Sequence, residues 1–280
     1  MPEAEFALIV FAGSVLAGLV GALTGLGGGV VIVPLLTFAF HVDFRYAAGA
    51  SIISVIATSS AAASTYVKEG YTNLRIGMFL EIATTLGAVG GALLATYLKV
   101  TWLSALFGLV LLYSAFSAGG THTSEGQSPR TSSRLAKRLR LPGRYPGAHG
   151  VELSYGVQRV PLGFSLMALA GALSGLLGIG SGAFKVLAMD RAMGIPFKVS
   201  TTTSNFMIGV TAAASAGVYF AKGFVNPLIA GPVMLGVLAG ATFGTHFLIQ
   251  WRTPVLRRIF SVVLVALGGL MLWNSFHPVH

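Results

Sequence analysis

The chain has 280 residues, 54% of them hydrophobic and only 9% charged, against about 25% charged in a soluble globular domain. Its net charge is +10 and it has no cysteine, which excludes disulfides, Cys-ligated zinc and thiol chemistry. The charge deficit and several apolar runs of about 20 residues predict an all-α, polytopic membrane protein rather than a nucleic-acid binder.

The N-terminus carries Glu3 and Glu5 and no Lys or Arg before the first apolar run. It lacks the basic region of a secretory signal, so the first span is expected to stay in the mature protein. Residues 6–40 are apolar but are broken by Gly25-Leu26-Gly27-Gly28-Gly29, with Pro34 beyond the break. Adjacent glycines disfavour a helix interior by roughly 1 kcal/mol each. Non-helical backbone at membrane depth is tolerated only where protein or a water-filled cavity surrounds it. The segment therefore reads as a helix, a break and a half-helix. After the turn at 41–45, a span at 46–67 is rich in Ser51, Ser54, Thr58 and Ser59. The next span, 74–98, carries Gly87, Gly90 and Gly91, which allow close helix approach, and a fourth span is predicted at 101–118.

Residues 119–160 change to Gly, Ser, Pro and Arg, and hold seven of the 18 basic residues. This basic linker is predicted to lie in the cytoplasm between a first membrane repeat, 6–118, and a second, 161–276. Within it, 134–141 reads either as a short basic amphipathic helix on the membrane surface or as a loop without regular structure.

The second half repeats the first. A span from 161 leads into Gly178-Ile179-Gly180-Ser181-Gly182, a half-helix follows at 183–193, and spans are expected near 197–220, 225–249 and 255–276. Gly21-Ala22-Leu23 answers Gly171-Ala172-Leu173, Ser60–Ser64 answers Thr211–Ser215, and Gly87 and Gly91 answer Gly236 and Gly240. The offset drifts between 149 and 153 residues. Duplicated membrane halves are parallel or inverted. With the linker inside and four crossings per half, three basic residues outside the linker fall inside and eight outside. If each glycine-broken segment re-enters, the halves are inverted. Lys68, Arg75, Lys185, Arg191, Lys198, Arg252, Arg257 and Arg258 then lie inside, against Arg45, Lys99 and Lys222 outside, which fits the positive-inside rule. Two inverted repeats are therefore expected, each a re-entrant first segment plus three spanning helices.

The candidate site follows from the breaks. Half-helix N-termini present free N–H groups and a partial positive charge, so Gly27, Gly28, Gly29 and Gly180, Ser181, Gly182 are expected to face one another across an anion site. The alternative is that these glycines only permit close packing. Lys185, one turn past the second break, is a candidate anion contact; the alternatives are neutralising Glu81 or Asp190, or snorkelling to the interface. Glu81, inside the third span, is a candidate proton carrier if burial raises its affinity for a proton. Among the hydroxyls, Ser51 and Thr202 are the candidate donors, although membrane Ser and Thr often bond back to their own helices. Ser181 with His246 brings an intramembrane serine protease to mind, but Ile179 breaks the Gly-x-Ser-Gly pattern. Val30 stands where a Walker motif needs Lys. The chain is therefore expected not to be an enzyme and to need no cofactor, with a passive anion channel as the harder alternative to a transporter.

These motifs resemble the sulfite exporter TauE/SafE family of anion permeases. The resemblance rests on GLGGGVVIVPLL at 25–36, on the Ser/Thr-rich span after it, and on repetition of both. It implies a multi-pass inner-membrane transporter whose partners are the lipid bilayer and a small sulfur-containing anion, often exported. The second half departs from the pattern: Ser181 replaces a glycine, Lys185 stands where Ile32 stands, and Leu187 replaces Pro34.

Overall fold

The computed structural model describes residues 3–24, 28–68, 70–118, 131–146, 152–248 and 253–276. The chain is all-α apart from one short ribbon. In the first half, α1 (Glu3–Thr24) precedes the break. Beyond it α2 (Gly29–Pro34) runs into a π turn (Leu35–Ala39), followed by α3 (Phe44–Lys68), α4 (Leu74–Tyr97) and α5 (Val100–Ala118). The second half repeats this order with α7 (Val160–Leu177), α8 (Gly182–Leu187) and a π turn (Ala188–Ala192), then α9 (Phe197–Ala221), α10 (Pro227–Leu248) and α11 (Thr253–Phe276). The expected half-helix at 183–193 is thus one α turn and a half that loosens into a π turn.

Between the halves lies α6 (Arg134–Arg138), capped by Ser133, whose side chain accepts from Ala136 N–H. An antiparallel ribbon follows, β1 (Gly143–Pro146) with β2 (Glu152–Tyr155). The ribbon was not anticipated from composition, and neither was its anchorage. Ala136, Leu141, Tyr145, Tyr155 and Val157 are buried against the ends of the long helices. Asn73 ties the parts together. Its side chain caps α4 by accepting from Ile76 N–H and donates to Tyr155 Oη at 2.7 Å and to Leu141 O at 3.1 Å. Burial pushes the Tyr155 phenol up to about 12, so it keeps its proton at neutral pH.

The two halves interlock by exchange. Helix α1 packs on α10, α7 on α4, α3 on α9 and α5 on α11. The contacts recur at one fixed offset. A Cβ on Gly18 would strike Val237 O, and one on Gly171 would strike Thr84 O; Gly87 abuts Ala168 O, and Gly240 abuts Val15 O. Each pair maps onto its mate by 153 residues, as do the starts of the half-helices (29 and 182), the π turns (35 and 188) and the following helices (44 and 197). This register corrects the drifting one. Gly87 answers Gly240 rather than Gly236, Thr58 answers Thr211, and Ser51 answers Ser204. Two units that trade the same patch in both directions are related by a two-fold.

The two ends of each broken segment lie close together. Gln158 N–H, just before α7, donates to Met193 O, just after the π turn, at 3.0 Å. In the first half the Phe6 and Phe40 rings meet edge to face at 5.7 Å. The outside of the bundle is apolar: Leu16, Leu86, Phe116 and Leu169 are each at least 62% exposed. Tyr97, Trp102, Phe220 and Trp273, also exposed, gather at the helix ends opposite the linker, where aromatic side chains sit at a membrane interface. Of the described helices, α4 and α7 are long and apolar enough to cross a bilayer by length and composition alone; α1, α5, α10 and α11 contribute shorter apolar stretches.

Candidate functional site

The two breaks meet at the centre, between the middles of α3 and α9. Gly29, the first residue of α2, packs so closely on α3 that a Cβ would lie 2.5 Å from Ser51 Oγ and 2.8 Å from Val55. Gly180 sits between Val55 of α3 and Ile208 of α9. The Ser51 hydroxyl crosses from one half to the other and donates to Gly178 O at 2.7 Å. Its counterpart Ser204 donates to Gly182 O at 3.3 Å. Tyr219 Oη donates to the carbonyls of Gly175 and Leu176, at 3.0 and 3.3 Å, where α7 ends. Gly178 closes α7 in the left-handed conformation, φ 69°, which glycine adopts without strain.

Ser181 is the exception to this accounting. It caps α8 with φ 42°, a left-handed conformation that is uncommon outside glycine. Its first-half counterpart, Gly28, has an ordinary helical φ of −61°. Glycine thus stands where no left-handed turn exists, and serine where one does. Ser181 is 5% exposed, and its Oγ is buried with no hydrogen-bond partner among the described residues. A buried hydroxyl without a partner costs about 1–3 kcal/mol, and strain of this kind gathers at functional sites.

Lys185 is fully buried. Helical side chains lean toward the N-terminus of their helix, which carries this one back over the break. Its Nζ donates to Thr211 Oγ1 of α9 at 2.5 Å. Thr211 Oγ1 lies 2.7 Å from Glu81 Oε1 on α4 and 2.8 Å from Met207 O of its own helix. Thr85 adds a hydrogen bond to Glu81 Oε1 at 3.2 Å. Glu81 Oε2 is buried with no partner among the described residues. Lys185 and Glu81 therefore belong to one network, bridged by a hydroxyl rather than in direct contact. The network joins Glu81 of the first half to Lys185 and Thr211 of the second and has no symmetry mate, because the 153-residue register puts Ile32 opposite Lys185 and Met234 opposite Glu81.

The structure thus brings Gly28, Gly29, Ser51, Gly180, Ser181 and Gly182 to the meeting of the breaks, with Lys185 one turn away and Glu81 behind it. Thr202 stands apart: its hydroxyl donates to Lys198 O and Val199 O of its own helix, at 3.0 and 3.2 Å. Gly27 and the side chain of His246 lie outside the described residues. Sequence reasoning did not single out Thr211, Thr85 or Val55. Thr211 had one available signal, since a lysine on a half-helix reaches the hydroxyl face of the helix packed beside it.

Paired broken helices meeting inside an apolar bundle, with a buried lysine and a strained serine at the junction, mark a membrane protein. Residues 10–271 match the model of the family described as Sulfite exporter TauE/SafE, and the chain belongs to that family. It is similar to the "Probable membrane transporter protein YunE" of Bacillus subtilis, 26% identical over 97% of this chain and 98% of the relative. It is likewise similar to the "Probable membrane transporter protein YdhB" of the same organism, 26% identical over 95% and 98%. The "Sulfite exporter TauE/SafE family protein 5" of Arabidopsis thaliana is 25% identical over 60% of this chain and 36% of its own length. No solved structure matches the chain.

Proposed function

We propose that this protein is a secondary transporter that exports small sulfur-containing anions, sulfite or a sulfonate, across the inner membrane, binding them between the two breaks. The observation that carries the reading is Ser181: a buried hydroxyl in a strained backbone, without a partner, beside the fully buried Lys185. The first turn of a helix leaves N–H groups unsatisfied, so an anion here is offered backbone donors, a hydroxyl and an ammonium. No arginine fork of the kind that grips phosphate or carboxylate is among the described residues of this site. That favours a compact oxyanion, as the family's name does.

In this reading 6–118 and 161–276 are inverted repeats of three crossings each, the broken segments re-enter, and 119–160 lies in the cytoplasm. The contact between Gln158 and Met193 and the two-fold exchange of helices support it. Gly29, Ser51, Gly180, Ser181 and Lys185 are all buried, which supports reading this as a closed state. Transport then needs one bundle to rock against the other about α3 and α9.

The test is sulfite flux in proteoliposomes. Export predicts saturable flux that a gradient drives uphill, and loss of flux in Ser181→Leu, whose bulk fills the junction. Flux that rises linearly with concentration and never runs uphill marks a passive channel. Unchanged flux in a folded Ser181→Leu removes the breaks from the path.

A further inference from the structure

Thr211 has one hydroxyl proton and two acceptors at equal reach, Glu81 Oε1 at 2.7 Å and Met207 O at 2.8 Å, and it accepts from Lys185 Nζ as well. A hydroxyl offers one donor and two lone pairs. When Glu81 is ionised, Thr211 donates to it. When Glu81 carries a proton, Glu81 donates to Thr211, and Thr211 turns its own proton to Met207 O. Both states are fully bonded at Thr211 without moving a heavy atom.

The surroundings restrict what balances that charge. Glu81 is packed by α4, α7 and α9, with Lys185 of α8 reaching it through Thr211; Asp190 and Arg191 lie five and six residues beyond Lys185, on the π turn. Helix α7 carries no titratable side chain, α9 carries only Lys198 and Tyr219, and the other titratable groups of α4 are Arg75 and Tyr97. Asn73 N–H donates to Thr203 Oγ1 as Glu81 meets Thr211, so both pairs join residues 130 apart. Lys198 lies 13 residues before Thr211, about 20 Å along the helix, and Arg75 lies about two turns from Glu81. Tyr219 is engaged with Gly175 and Leu176. Lys185 is then the charge that Glu81 answers. A lone buried ammonium is costly, and so is a surplus buried carboxylate. Lys185 needs one anion at a time.

Granting the anion site above, the geometry points to proton-linked loading: Glu81 and the transported anion alternate as the counter-ion of Lys185. The site without anion holds Lys185 as ammonium and Glu81 as carboxylate. When a monoanion arrives beside Lys185, Glu81 takes one proton from water, and the net charge of the cluster is unchanged. Anion and proton therefore bind and leave together, in the same direction. The symmetry-related position has no such device, since Ile32 and Met234 stand where Lys185 and Glu81 would be.

Proton uptake on binding tests this in the whole purified protein. Calorimetric titration with methanesulfonate, which keeps one charge across the pH range, is run in buffers of different ionisation enthalpy, and with sulfite in parallel. The expected result is one proton taken up per methanesulfonate. Affinity should fall about tenfold per pH unit on the alkaline side. Glu81→Gln, read in the acidic range where Lys185 keeps its proton, should bind methanesulfonate with no proton uptake and a flat pH profile. Binding by the wild type with no proton uptake, or with proton release, overturns the inference and leaves the anion site standing. If neither methanesulfonate nor sulfite binds the wild type, the anion site falls and this inference with it. The wild-type proton count decides even where Glu81→Gln fails to fold.

Discussion

Lys185→Gln should destabilise the protein in the absence of anion, and adding Glu81→Gln should restore most of the loss. Thr211 Oγ1 lies 2.5 Å from the ammonium and 2.7 Å from the carboxylate, which places the charges no more than about 5 Å apart. At an effective dielectric of about 20, two unit charges at that separation interact by about 3 kcal/mol. Removing one partner of a buried pair costs about 3–5 kcal/mol, because the survivor stays behind uncompensated. The double variant replaces both charges with amides of similar length and leaves no such charge. The coupling energy of the cycle should therefore be about 3 kcal/mol, roughly 6–12 °C in the unfolding midpoint. The assay is thermal unfolding in detergent, read by size exclusion after heating, for the wild type, both single variants and the double. Additive losses, with the double variant as weak as the two singles combined, would show that these charges do not compensate each other.

Other expectations follow from single contacts. Gly91→Ala should destabilise by about 1–3 kcal/mol, since its Cβ would strike Ala172 O, whereas Gly90→Ala, which meets nothing within 4 Å, should be neutral or stabilising by up to about 1 kcal/mol; the same unfolding assay compares them. Ser181→Ala should weaken methanesulfonate binding roughly tenfold, the worth of one charge-assisted hydrogen bond, with stability kept; unaltered affinity would leave only backbone donors at the junction. Asn73→Ala should cost about 1 kcal/mol for the lost cap and free the ribbon, seen as faster proteolysis within 131–159. With no native cysteine, single cysteines at Arg138 and Lys222 should react with an impermeant thiol reagent from opposite sides of the membrane, and labelling from the same side would overturn the inverted arrangement.

The membrane class and the break positions were legible in the sequence because both are local. Apolar runs of about 20 residues and adjacent glycines act through solvation and backbone entropy, which depend on neighbours along the chain. Duplication was legible for the same reason, since a repeat is a comparison of letters. The register was not. Small residues are so frequent that Gly87 matches Gly236 as well as Gly240 by eye, and only the carbonyls each one abuts, Ala168 O and Val15 O, distinguish them. Thr202 looked like a donor until its hydroxyl was seen turned onto Lys198 O, a choice of rotamer that a sequence does not record. Lys185 and Glu81 lie 104 positions apart and were suspected of meeting because buried charges need partners. That a threonine stands between them, able to bond either charge state, was decided only by the crossing of α4, α8 and α9.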